Sequence, residues 1–229
     1  MILRPCVGDK LKFSNVITLS LITTSSFLLL PAQAESSKPT LSKNSVSGLE
    51  IRVNALYSSG RFEQEITKYN PTQHVIHTDE KSSDLTTKGF SLLLGYAKEY
   101  RKQEQSSFFY MGYEGQQWND AFDSQYHAFI VGAEGGLGNA TIKLIYGGEF
   151  AFGALDTKAD ALGYLSTFTA EPFVGFRVLS TTGLSFNFRV GARGYFIESV
   201  EETVLGGSTL SENGAYTANV QLGLGYRFY

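Results

Sequence analysis

Cysteine is nearly missing from this sequence. The single one, Cys6, cannot support a disulfide framework. Proline is scarce as well, with five in 229 residues, which excludes proline-rich spacers and a chain that stays disordered. Basic residues are outnumbered, 19 Lys and Arg to 22 Asp and Glu, which argues against a nucleic-acid partner. There are only three histidines, so few imidazoles are available for a site. After residue 34 no apolar run approaches the roughly 20 residues of a membrane-spanning helix. What the chain does have is aromatic residues, 17 Phe and 13 Tyr, and 24 Gly. Such a chain must bury its apolar surface without cross-links and without a long helix.

Residues 1–34 read as a secretory signal peptide. Arg4, Lys10 and Lys12 give a basic start, residues 16–22 and 27–30 an apolar core, and Ala32-Gln33-Ala34 a small-x-small cleavage pattern. The apolar run is broken by Thr23-Thr24-Ser25-Ser26, too short for a retained anchor. Cleavage after Ala34 removes Cys6, three basic residues and one acidic residue, leaving 16 basic against 21 acidic and a net charge of −5. Glu35, not cysteine, follows the cleavage site, so no lipoprotein anchor is expected. The Ser/Lys-rich residues 35–46 form a short periplasmic tail, and residues 47–229 the folded domain.

From there the pattern has period two almost everywhere, the period of a β-strand whose successive side chains face opposite ways. Eight such stretches are present, near residues 49–57, 89–100, 107–118, 126–136, 141–152, 168–178, 184–196 and 216–228. One face collects apolar side chains: Ile51 and Val53, then Phe90, Leu92 and Leu94, then Phe109, Met111 and Tyr113. It continues with Phe129 and Val131, Leu144 and Phe152, Val174 and Phe176, Phe186 and Val190, and Leu222, Leu224 and Tyr226. The other carries Glu50, Arg52, Glu114, Glu134, Lys143, Glu149, Glu171, Arg177, Arg189, Arg193 and Arg227, with many glycines between them. A soluble β-sandwich or lipocalin-like barrel would place its apolar face inside. Here five acids and six bases nearly neutralise one another, as an enclosed lumen requires.

Strands of about ten or more residues match what a tilted strand needs to cross a bilayer. The connections alternate in length: 59–88 long, 101–106 short, 119–125, a tight turn at Gly138-Asn139, 153–165, a tight turn at residues 180–183, and 198–214 long. Long loops at one rim and tight turns at the other form the outer-membrane pattern. The predicted fold is all-β: an eight-stranded antiparallel up-and-down transmembrane β-barrel with a polar, salt-bridged lumen.

The last residues sharpen this. Gln221-Leu222-Gly223-Leu224-Gly225-Tyr226-Arg227-Phe228 ends in alternating aromatics and resembles the Gly-Tyr-Arg-Phe endings of small eight-stranded outer-membrane proteins of the OmpX/Ail, OmpA-domain and opacity-like types. Tyr229 is an extra residue beyond the usual terminal Phe. In residues the resemblance covers the leader and the last strand, and in architecture the whole mature chain. It implies an outer-membrane location, contact with outer-membrane lipids and lipopolysaccharide, and recognition of the last strand by the barrel assembly machinery.

Chemistry has few candidates. His74 and His77, followed by Asp79 and Glu80, contain a minimal zinc set of two imidazoles and a carboxylate, but in a polar loop. His127 opens the fourth strand near the rim where lipid A deacylases and palmitoyltransferases hold catalytic groups; residues 127–129, His-Ala-Phe, lack a serine two positions on, leaving only a relay through Ser124. The glycines of residues 132–138 lack a following Lys-Ser/Thr and a helix, so they read as a strand entering a turn. Asn139-Ala140-Thr141 matches a glycosylation acceptor without meaning in a periplasmic turn. We therefore expect no catalytic, cofactor or metal residues and no cofactor. The expected function is that of a non-enzymatic surface protein presenting loops for adhesion, host contact or envelope integrity, with a host surface ligand as partner; a lipid A-modifying rim enzyme and a narrow channel are the alternatives.

Overall fold

A computed structural model describes residues 45–70, 75–100, 104–119, 124–157, 164–204 and 207–229. Eight strands follow one another: β1 Ser45–Asn70, β2 Val75–Tyr100, β3 Gln105–Asn119, β4 Gln125–Gly138, β5 Ile142–Asp156, β6 Tyr164–Leu179, β7 Leu184–Val204 and β8 Gly207–Phe228. Each pairs antiparallel with its neighbour, and β1 pairs with β8, so the sheet closes on itself as an up-and-down barrel. Closure leaves no sheet edge within the wall, the condition for strands to cross a lipid layer.

The phase read from the sequence holds in all eight strands. Phe90, Leu94, Met111, Phe129, Leu144, Val174 and Leu224 stand exposed on the outside, Leu224 at 62%, whereas Glu50, Arg52, Glu114, Arg177 and Arg193 are almost completely buried. Such a distribution is inside-out for water. An apolar belt this continuous costs too much in an aqueous solvent, and ions are buried only when paired. The barrel is a transmembrane one, and its outer solvent is lipid.

Large rings on the inner face need room, and cross-strand glycines supply it. Tyr110 pairs with Gly132 and Phe173 with Gly147. A Cβ at Gly132 would lie 2.4 Å from the Tyr110 ring, and one at Gly147 would lie 2.7 Å from the Phe173 ring. The abundant glycine is thus space left for neighbours rather than flexibility. The tight turns use glycine differently: Gly138 (φ 133°) and Gly183 (φ 92°) take a backbone conformation that side chains disfavour. Just after the first of them, Asn139 Oδ1 accepts from the Thr141 and Ile142 amides at 2.9 and 2.7 Å, an Asx turn into β5.

One wall position is irregular. The β6–β7 ladder keeps its register but skips the Glu171/Arg193 and Pro172/Ala192 pairs. Proline has no N–H to donate, so the ladder loses a bond there.

The wall has two heights. β3 to β6 are 14 to 16 residues long, enough for a tilted crossing. β1 and β2 have 26 residues each, β7 has 21 and β8 has 22. The expected long loops 59–88 and 198–214 are therefore mostly strand. The β1–β2 ladder runs without a slip to Asn70↔Val75, β1–β8 continues to Tyr69↔Ser208, and β7–β8 passes a bulge between Ile197 and Val200 and reaches Val204↔Gly207. Polar sequence misled here because a strand outside the membrane has both faces in water and loses its apolar alternation.

Candidate functional site: a plugged lumen beneath a projecting sheet

The lumen holds six buried carboxylates and six buried cations among the described residues. They form two connected groups. Near the turn rim, Arg227 Nε and Nη2 donate to Glu50 at 2.9 and 2.7 Å, and its Nη1 lies 3.1 Å from Glu99. Arg52 bridges Glu50 (2.6 Å) and Glu134 (2.8 and 3.1 Å), and Arg177 donates to Glu134 and to Ser106. The Arg52 guanidinium also lies 3.9 Å over the Phe108 ring.

Towards the loop rim the centre is Arg193. Its guanidinium donates to Glu114, to Glu149 at 2.6 Å and to Glu171 at 2.6 Å. Arg189 donates to Gln221, to Tyr110 and to Glu149, and Tyr110 OH donates to Glu149 at 2.9 Å. Asn219 adds a bond of 2.6 Å to Glu171. These groups come from β1, β2, β3, β4, β5, β6, β7 and β8, so the network laces every strand to others across the interior.

Above it sits an apolar and aromatic plug. Trp118, Tyr126 and Tyr195 are fully or almost fully buried. Trp118 meets Tyr195 edge-on with ring centres 4.8 Å apart, and Tyr126 meets Tyr195 at 5.7 Å. Gln116 joins the two layers: its Nε2 donates to Glu114 at 2.6 Å while its Oε1 accepts from Trp118 Nε1 and Tyr195 OH. Phe62, Leu85, Leu155, Leu165 and Ile197 complete the layer. The sequence reading missed this plug and also Glu99. Both follow the inner phase of their strands, so phase alone marked them.

Above the plug, β2, β1, β8 and β7 continue as a four-stranded sheet. β2 meets β3 only from Thr86↔Asn119 and β7 meets β6 only up to Thr167↔Ile197. On its outer face Glu80, Glu65 and Glu212 stand side by side on three neighbouring strands, with Glu63 and Asp84 nearby.

The histidine candidates separate. His127 projects on the outer face, where Tyr113 OH and its Nδ1 share a hydrogen bond of 2.6 Å and the rings stack. Ser124 is fully buried, on the opposite face, so the relay has the wrong geometry. His77 Nε2 lies 3.1 Å from Asp79 Oδ1, both exposed. Glu80, on the same strand in the other phase, points to the opposite face, and His74 lies outside the described residues. No group of three possible ligands converges among the described residues. Gly132 and Gly135 sit inside β4, beneath the Tyr110 and Tyr146 rings.

No known family model matches the chain, and no curated protein does. Solved structures that it resembles include Neisserial surface protein A, at 12% identity over 81% of this chain and 100% of that one, with a TM-score of 0.39. The attachment invasion locus protein Ail of Yersinia pestis is 13% identical over 76% of this chain and 98% of that one, with a TM-score of 0.33. The translocator domain of the autotransporter NalP from Neisseria meningitidis is 11% identical over 94% and 98%, with a TM-score of 0.27. These likenesses are too distant to carry an argument, and the reading of this chain rests on its own strands.

Proposed function

We propose that the chain is a non-enzymatic outer-membrane surface protein in which a plugged barrel anchors a projecting sheet for contact with a ligand outside the cell, by adhesion or host contact. The observation that carries this reading is the extension of β1, β2, β7 and β8 beyond the wall made by β3 to β6. Extra strand length of about ten residues corresponds to roughly 30 Å along the strand, ordered structure that membrane crossing alone does not need. The plug beneath it supports a rigid base and leaves the lumen no room for a substrate chain. Export with cleavage after Ala34, insertion by the barrel assembly machinery through residues 221–228, and lipopolysaccharide around the belt belong to the same reading.

The test is a trimmed variant in which an Asn-Gly turn replaces residues 64–81, joining the Glu63↔Ser82 pair. It keeps Phe62 and Leu85 in the plug. The expected result is a folded, membrane-inserted barrel with adhesion reduced to that of a deletion strain. Lipid A mass spectra should be the same for wild type and His127→Ala. A change in acyl-chain number in that mutant would replace this reading with a rim enzyme.

A further inference from the structure

The outer face of the projecting sheet changes character along its length. Next to the wall it is polar and acidic: Glu63, Glu65, Glu80, Asp84 and Glu212 share it with one base, Arg61. Lys68, Lys81 and the His77–Asp79 pair stand in the opposite phase, on the inner face. At the far end the same outer face turns apolar. Tyr69 and Ile76 oppose each other across β1 and β2. Leu210, opposite Thr67 on the other side of β1, lies diagonal to Tyr69, within reach of long side chains. All three are exposed, Ile76 at 67%. Tyr69 lies twelve residues along β1 from Tyr57, where the apolar belt ends, about 40 Å along the strand. The bilayer that covers the belt therefore does not cover this patch. Three adjoining apolar side chains on an otherwise polar face in water mark a contact surface.

The neighbouring row selects what sits there. Glu80, Glu65 and Glu212 stand side by side, four residues nearer the wall than the Tyr69–Ile76 pair, about 14 Å along the strands. An occupant must carry an apolar group and a basic group at that separation. From β2 to β7 the sheet is three strand spacings wide, about 14 Å, close to the width of one α-helix with its side chains. A helix laid along the strands covers the same distance in about nine residues. Its apolar residues meet the tip, and lysines or arginines further along the same stripe meet the acid row. A patch of three side chains and one helix width suits a peptide rather than the broad face of a globular protein. A second copy would bring the same acids against these, and an anionic bilayer would be repelled by them.

We infer that the outer face of the projecting sheet captures a cationic amphipathic peptide in helical form, its apolar residues on Tyr69, Ile76 and Leu210 and its basic residues on Glu80, Glu65 and Glu212. Apolar contact holds the peptide and the charges choose it. Peptides of this kind otherwise lie in the lipid–water boundary; bound here, one is held away from the bilayer that surrounds the barrel. This inference rests on the surface-display reading and names the chemistry of its ligand.

The experiment uses the full chain in phosphatidylcholine nanodiscs, with empty nanodiscs as the blank. The probe is an eighteen-residue alanine and glutamine helix with leucine at i, i+3 and i+4 and lysine at i+10, i+11 and i+14, all on one stripe. Its control carries the lysines at i+9, i+12 and i+13, on the opposite side. The probe should shift the amide resonances of residues 64–69, 76–80 and 210–212 and bind roughly tenfold more weakly at 300 mM than at 50 mM salt. The control should bind roughly tenfold more weakly than the probe. Tyr69→Ser with Ile76→Ser should lower affinity about tenfold while the unboiled barrel still migrates faster on a gel. Glu80→Gln with Glu212→Gln should remove most of the salt dependence. Equal binding of the two peptides, binding indifferent to both double variants, shifts confined to other residues, or no binding at all would overturn the inference. So would a dimer of the detergent-solubilised chain that is lost in the Tyr69→Ser, Ile76→Ser variant, since a second copy would then cover the patch. If the display reading were the one at fault, the trimmed variant would adhere like wild type although the purified chain still bound the probe.

Discussion

Arg193 offers the sharpest test of the lumen. It is buried, and its guanidinium donates to three carboxylates on three other strands: Glu114 of β3, Glu149 of β5 and Glu171 of β6. Glu149 has a second cation in Arg189, 3.4 Å away, while Arg193 is the one cation paired with Glu114 and Glu171 among the described residues. Arg193→Met keeps much of the volume and removes the charge, leaving two buried carboxylates without a counter-ion. Removing one partner of a buried pair costs about 3–5 kcal/mol, and this should be the loss seen. The measurement is urea unfolding from lipid vesicles followed by the emission of Trp118, the only tryptophan. Trp118 packs against Tyr195, two residues from Arg193 on the same inner face, so it reports on this layer directly. Adding Glu114→Gln to Arg193→Met restores the balance of lumenal charges and should recover roughly half of the loss. Arg193→Lys should fall between, since an ammonium keeps the charge but not the fork that reaches three partners. Loss of less than about 1 kcal/mol in the single variant, or a double variant no more stable than the single, would refute the network as a structural one.

Further outcomes are expected. Val190→Arg, on the outer face beside Val174 and Val220, should cost about 2–4 kcal/mol at mid-bilayer depth and should not be rescued by neutralising any lumenal acid, as urea unfolding will show. Phe228→Ala should lower the amount of protein in the membrane fraction more than deletion of Tyr229, and the unboiled protein should migrate faster on a gel than the boiled one. Pro172→Ala restores a donor to the interrupted β6–β7 ladder and should slow hydrogen exchange there, stabilising by about 1 kcal/mol. Outside the membrane, the Ser166 side chain and backbone amide hold the Glu198 carboxyl below its usual 4.5; the contact is present at higher pH and lost as pH falls through that lowered value, so the midpoint of the Ser166 amide shift in a pH titration should lie below 4.5.

The barrel wall was legible because the membrane enforces it. Where one strand face meets lipid and the other meets a charged lumen, residues such as Phe186, Phe188 and Val190 alternate with Asn187 and Arg189, and no other arrangement satisfies both solvents. The same rule explains what was missed. Residues 64–69 and 76–84 carry no apolar alternation because both faces are wet, and their strand character comes from pairing with β8 and with each other, which a single strand does not reveal. Glu99 lies in the predicted stretch 89–100 and shares the inner phase of Ser91 and Ala97, but between Lys98 and Tyr100 at the end of that strand it was left out of the charged inner set. Trp118, Tyr126 and Tyr195 lie on the polar phase of their strands, where an aromatic ring breaks the pattern and so escapes a reading based on it. His127 was correctly placed at the rim; its partner Tyr113, on a neighbouring strand, could be found only from the β3–β4 register.

The division of the molecule into plug and sheet bears on what the lumen can do. Near the turn rim Arg52, Lys143, Arg177 and Arg227 face Glu50, Glu99 and Glu134; near the loop rim Arg189 and Arg193 face Glu114, Glu149 and Glu171. Each half alone is unbalanced by one charge, in opposite senses, so neutrality belongs to the whole lumen. An ion passing through would have to separate pairs held at 2.6 to 3.4 Å and then displace the Trp118–Tyr195 contact. Each separation leaves a buried charge uncompensated, at several kcal/mol apiece, a barrier that accumulates along the path. An interior built this way is committed to holding the strands in register. The groups left to meet a partner are those above the plug, on the outer face that carries Glu65, Glu80 and Glu212.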